Sequence, residues 1–114
     1  MANSSGVFIG AGSVNQVGPS VNDAVLGGGY GNIIQAPDSV VGGGVSNWVT
    51  SLAQYSFVGG GLSNTNGGWA AAVGGGSGNF ALAAYSTVAG GFGNSAAANS
   101  STVGAGLATS AVPA

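Results

Sequence analysis

The only acidic side chains, Asp23 and Asp38, each stand four residues before a glycine run, Gly27-Gly28-Gly29 and Gly42-Gly43-Gly44. If those runs mark successive copies of a stacked repeat, the two carboxylates lie about one strand spacing apart, ~4.8 Å. Carboxylates that close repel as a solvated pair, share a proton or hold a hard cation such as Ca²⁺. The solvated pair is the plainer reading. Calcium at Asp23 and Asp38 is the one weak metal candidate, and no other cofactor is expected. Glycoside hydrolysis also uses two carboxylates, but nothing around these two resembles a catalytic pocket. The chain has no Lys, Arg, His or Cys. It therefore has no imidazole for general-base work, no thiol nucleophile, no Schiff-base amine and no ligands for a zinc site of histidine and cysteine. Catalytic residues are expected to be none, and the chain is read as not an enzyme. Phosphate backbones and anionic membrane surfaces would find no cationic partner, so nucleic acid is not expected as a partner.

Large aromatic side chains are the other chemistry on offer. Trp48 and Phe80 each directly follow an Asn, Tyr55 and Tyr85 share a repeat position, and Trp69 lies near a repeat boundary. Tyr30, Leu62 and Phe92 follow a Gly triplet. Such residues either pack an interface between copies or form an exposed receptor patch, because Trp and Tyr offer large contact area at little entropic cost. Trp48, Tyr55, Trp69, Phe80 and Tyr85 are the candidate receptor-binding set, with stacking on sugar rings as a natural use. The segments Trp48–Gln54 and Asn64–Trp69 are its expected location.

Those residues must be positioned by a repeat. An apolar residue, three small residues, two variable positions and Asn recur seven times along the 114 residues. The first small residues are Gly10, Gly27, Gly42, Gly59, Gly74, Ala89 and Gly104, spaced by 17, 15, 17, 15, 15 and 15. The third is always glycine: Gly12, Gly29, Gly44, Gly61, Gly76, Gly91 and Gly106. An invariant glycine implies a backbone angle or close approach that forbids Cβ. The Asn column is Asn15, Asn32, Asn47, Asn64, Asn79 and Asn94, with Thr109 in the last copy. Asn tolerates the left-handed region, bonds local backbone and forms stacked hydrogen-bond ladders, so this column reads as structural.

Two apolar columns flank these bends. One is Ile9, Leu26, Val41, Val58, Val73, Val88 and Val103; the other is Val17, Ile34, Val49, Asn66, Ala81, Ala96 and Ala111. Short period-two alternation around Gly- and Asn-rich bends indicates strands. One unit cannot bury its own apolar face, but stacked units make a continuous thin core. The expected fold is an all-β solenoid over residues 7–111, with a lead-in at 1–6 and a tail at 112–114. Seven coils predict a rod of roughly 33 Å. The second column shrinks from Val and Ile to Ala, which predicts a taper or a partner near the last coils. No run of eighteen apolar residues exists, so no membrane insertion is expected.

Tyr55-Ser56-Phe57-Val58-Gly59-Gly60-Gly61 and Tyr85-Ser86-Thr87-Val88-Ala89-Gly90-Gly91 resemble the head repeats of trimeric autotransporter adhesins (YadA-like), which also occur in phage tail fibres and virion fibre proteins. The resemblance runs over about residues 7 to 111. It implies a left-handed parallel β-roll, a side-by-side homotrimer and binding to a host-surface receptor, possible glycans included. The repeat here is about a residue longer than the adhesin unit. The start shows no charged segment followed by an apolar one. With no neck, coiled-coil stalk or anchor expected after the repeats either, the reading favours a phage or virus attachment module on the virion surface, or another extracellular setting, over a self-exporting adhesin. The alternatives are a filament subunit stacked head to tail, an ice-binding solenoid, for which only Thr87 and Thr102 align, and a head fragment of a larger adhesin.

Overall fold

The computed structural model of the chain describes residues 5–112. Parts of the 1–6 lead-in and the 112–114 tail, namely residues 1–4 and 113–114, lie outside the described residues. Period-two alternation is realised in its shortest form. Each coil holds two two-residue strands, and in each strand the second side chain points inward. The odd strands are β1 (Phe8–Ile9), β3 (Val25–Leu26), β5 (Val40–Val41), β7 (Phe57–Val58), β9 (Ala72–Val73), β11 (Thr87–Val88) and β13 (Thr102–Val103). The even strands are β2 (Gln16–Val17), β4 (Ile33–Ile34), β6 (Trp48–Val49), β8 (Thr65–Asn66), β10 (Phe80–Ala81), β12 (Ser95–Ala96) and β14 (Ser110–Ala111).

Odd strands pair only with odd strands and even with even, giving two parallel seven-stranded sheets in coil order. The register is that of the repeat: Val41 pairs with Val58, and Val49 with Asn66. The chain is thus a β-solenoid of seven turns, and the Cα trace measures 40 × 23 × 13 Å. Its core is the thin layer between the sheets, where Leu26, Val41, Val58, Val73 and Val88 face Ile34, Val49, Ala81 and Ala96, all fully buried. Each such Val, Leu or Ile contributes about 1.5–3 kcal/mol of transfer free energy. Ala81 and Ala96 show that the shrinking column is still closed by the opposite sheet.

Asn66 is the one polar residue in this inward column. Its Nδ2 donates to Phe57 O (3.2 Å) and Ala71 O (2.8 Å), and its Oδ1 accepts from Gly68 N (3.2 Å). The amide therefore ties a bend to the core instead of being stranded there.

Two connections close each coil on opposite edges of the rod. The glycine edge carries the triplets and a third ladder of single bridges, Ser13–Tyr30–Val45–Leu62–Ser77–Phe92–Leu107. The opposite edge is a corner leading from an even strand to the next odd strand. Both two-residue insertions fall at this corner, in coils 1 and 3. They turn Val21 and Ala53 inward as buried plugs, and the second closes with Ala53 N donating to Thr50 O (3.1 Å).

Just before each odd strand a small inward side chain closes the corner: Ala24, Ser39, Ser56, Ala71, Ser86. Ser39 Oγ has two acceptors in reach for its one O–H, Ala53 O and Pro37 O (both 3.1 Å), whereas Ser86 Oγ is buried without a protein hydrogen-bond partner. A stranded hydroxyl costs about 1–3 kcal/mol, and Ala fills the same position in coils 2 and 5. Ser86→Ala is therefore expected to raise the melting temperature, and Ser39→Ala to lower it. Thermal denaturation followed by circular dichroism checks both signs.

Candidate functional site: an aromatic ridge on the corner edge

The corner is built by a column of residues in the left-handed region: Gly6, Asp23, Asp38, Tyr55, Ala70, Tyr85 and Ser100, with φ between 54° and 66°. Gly, Asp and Ser suit this conformation, but a bulky aromatic there is an outlier. Holding Tyr55 and Tyr85 at φ 62° and 59° costs roughly 1–3 kcal/mol each. Most N–H groups of this column are paired along the rod. Asp38 N donates to Asn22 O (3.0 Å), Ala70 N to Gln54 O (2.9 Å), Tyr85 N to Trp69 O (2.9 Å) and Ser100 N to Ala84 O (2.9 Å).

Trp69 stands one position before the column, in the coil between the two tyrosines. Its ring meets Tyr55 at a centroid distance of 5.3 Å and 87°, and Tyr85 at 5.3 Å and 79°. Edge-to-face pairs of this kind contribute about 0.5–1.5 kcal/mol each, which offsets part of the backbone cost. The three rings remain 54%, 40% and 58% exposed in the order Tyr55, Trp69, Tyr85. On one side the ridge continues into Gln54, whose Nε2 donates to Asp38 Oδ2 (3.2 Å). On the other it continues into exposed Asn99 and Ser100.

Three of the five sequence-picked aromatics thus meet, and two do not. Trp48 and Phe80 point outward from β6 and β10, on the even-sheet face and two coils apart with Thr65 between them. Trp48 Nε1 donates to Gln35 Oε1 (3.0 Å). Trp48 therefore belongs to a strand, not to the insertion loop, and the large apolar residue that loop presents to solvent is Leu52. Phe8 and Phe57, exposed on the odd-sheet face, were not singled out by the sequence reading. Their signal was the alternation itself, since each directly precedes an inward residue. Val45 and Leu107 extend the exposed ladder of Tyr30, Leu62 and Phe92; the readable mark was the position directly after each triplet.

Asp23 and Asp38 occupy the same corner position in adjacent coils. Among the described residues no group of three or more His, Cys, Asp or Glu side chains comes together. No cavity opens among the described residues either. No helix in them is long and apolar enough to cross a membrane.

The Asn column lies inside the glycine edge, buried from Asn32 to Asn94, with the third-glycine column at the surface beside it. Asn47 Nδ2 donates to Gly43 O and Gly61 O (both 3.0 Å) and to Asn32 Oδ1 (3.1 Å); its Oδ1 accepts from Asn64 N (3.0 Å). The two carbonyl bonds and the N–H donated from the next coil repeat from Asn15 to Asn94, the side-chain bond to the preceding Asn recurs at Asn32, and Thr109 N ends the column by donating to Asn94 Oδ1 (2.8 Å).

No protein-family model matches the chain, and no curated protein or solved structure matches it.

Proposed function

We propose that the chain is a non-enzymatic surface-attachment module, a phage or virus fibre-tip type of protein that binds a host-surface receptor as a side-by-side homotrimer. The observation that carries the association is the middle glycine of the triplet. In coils 1 to 5 a Cβ on the first or third glycine would run into the backbone of the next coil. A Cβ on Gly43, Gly75 or Gly90 would meet no atom within 4 Å, and on Gly28 or Gly60 only ordinary contacts. None of these five is in the left-handed region. The solenoid itself does not require glycine there, yet five coils keep it. A stripe of bare backbone with unforced glycines suits another chain packing closely against it. Exposed Tyr30, Val45, Leu62 and Phe92 beside the stripe supply the apolar surface such a contact would bury. Threefold closure and left-handed winding are what the adhesin-head resemblance implies, and closed symmetry would cover this edge in every copy.

This arrangement leaves the corner edge facing outward, where Tyr55, Trp69 and Tyr85 would meet the receptor. Light scattering coupled to size exclusion is expected to give three times the 10.5 kDa chain mass. Replacing Gly43, Gly75 and Gly90 together by Ala is expected to leave the circular dichroism spectrum unchanged and shift the mass toward one chain. A monomeric wild type would remove the trimer, and open-ended polymers would point instead to a filament stacked head to tail.

A further inference from the structure

We infer that the Tyr55–Trp69–Tyr85 ridge is a binding track for an uncharged, linear oligosaccharide lying along the rod axis; this rests on the attachment reading and names the ligand class for it. The three rings sit in three successive coils, so they form a row parallel to the axis with a period of about one strand spacing, ~4.8 Å. Adjacent rings are turned by 87° and 79° relative to one another. The row therefore offers alternating ring faces and edges, not one flat plate. That suits a chain of small rigid rings whose apolar C–H faces change direction from unit to unit.

Hydrogen-bonding groups stand at both ends of the row, Asp38 with Gln54 at one and Asn99 with Ser100 at the other. These are the carboxylate, amide and hydroxyl groups that pair with sugar hydroxyls. The whole track from Asp38 to Ser100 spans four coil spacings, ~19 Å, which calls for an oligomer and not a single sugar.

Competing ligand classes fit less well. With no cation in the chain and the only two carboxylates on this corner, an anionic ligand would meet repulsion alone. A peptide adding as a strand needs unpaired backbone donors and acceptors. Here the corner N–H groups of Asp38, Ala70, Tyr85 and Ser100 already donate to the preceding coil. The backbone conformation argues for retention by use. Ser100, Asp38 and Ala70 adopt the same angles, so the fold does not call for tyrosine at Tyr55 or Tyr85.

The test uses the full chain with Trp48→Phe, which leaves Trp69 as the single tryptophan, titrated with cellohexaose, chitohexaose and maltoheptaose and with glucose as control. At least one oligosaccharide is expected to shift Trp69 emission saturably, while glucose does not. Tyr55→Asn with Tyr85→Asn is expected to weaken that binding at least ~10-fold, as removal of central aromatic contacts does. Asn suits the left-handed region, so these variants are expected to fold with an undiminished melting temperature, which separates lost binding from lost structure. No response to any of the three oligosaccharides, or unchanged affinity in the Asn variants, overturns the track. Adhesion of the wild type to intact cells that persists in the Asn variants would overturn the track and leave the attachment reading standing. A wild type that adheres to nothing and binds no oligosaccharide would remove both.

Discussion

Gly44→Ala is expected to cost most of the stability of the rod, while Gly43→Ala, one residue away, leaves the isolated chain almost untouched. Gly44 sits at φ 89°, and a Cβ there would meet Gly61 O, with Gly61 N and Asn47 Nδ2 both at 2.7 Å. Two of those atoms are backbone of the next coil and cannot rotate away. The third is the amide that bridges the coils. The left-handed angle alone costs a non-glycine residue roughly 1–3 kcal/mol. Forcing coils 3 and 4 apart adds about 1–3 kcal/mol of overpacking and lengthens hydrogen bonds that a parallel ladder needs. A total of roughly 3–5 kcal/mol is a large part of the 5–15 kcal/mol that holds a typical domain together. The melting temperature should fall by about 15 °C or more. Gly43→Ala should change it by no more than a few degrees when association is prevented by dilution. Equal losses from the two substitutions would show that the triplet is needed as a unit and that the middle glycine carries no separate information about a partner.

Asn47→Ala is the second substitution expected to have a large effect. The Asn47 side chain is fully buried and holds four partners: Gly43 O, Gly61 O, Asn32 Oδ1 and Asn64 N. Alanine removes the amide and takes the partner from Gly43 O and Asn64 N, while Gly61 O keeps the bond from Val45 N. Each buried group left unsatisfied costs about 1–3 kcal/mol. The expected loss is about 3–5 kcal/mol, with part recovered if water enters the space. Asn15, in the first coil, is only half-buried and bonds Ala11 O and Gly29 O. Asn15→Ala should therefore cost less than Asn47→Ala, and denaturant titration of the two variants checks the order. An equal cost at both positions would mean that the ladder acts locally within each coil and not as a continuous stack.

These two predictions rest on columns that were legible in the sequence. The reason is geometric. In a parallel solenoid the strand register equals the repeat, so residues one repeat apart are necessarily neighbours in space. The spacing of the triplets is therefore enough to pair Val41 with Val58 and to stack Asn47 on Asn32. The two longer repeats did not disturb this, because their extra residues leave the stack at a corner and return with Ala53 and Val21 as plugs.

The aromatic site was legible only in part. Tyr55 and Tyr85 share a column, so their common edge followed from spacing. That Trp69 joins them did not, because it stands one position earlier than the tyrosines. Its ring meets both tyrosines from the coil between them, one position before the left-handed corner residue Ala70. Trp48 and Phe80 open strands β6 and β10, which puts them on a sheet face away from the ridge.

By itself, then, the sequence determined the number of coils, the inward columns and the glycine and asparagine ladders, since all of these depend only on which residues are one repeat apart. The tertiary structure alone decided which aromatics meet, and which glycines the chain requires for its own sake. Both depend on the direction of a Cα–Cβ bond and on what lies at its end in the next coil, and neither is a function of spacing along the chain.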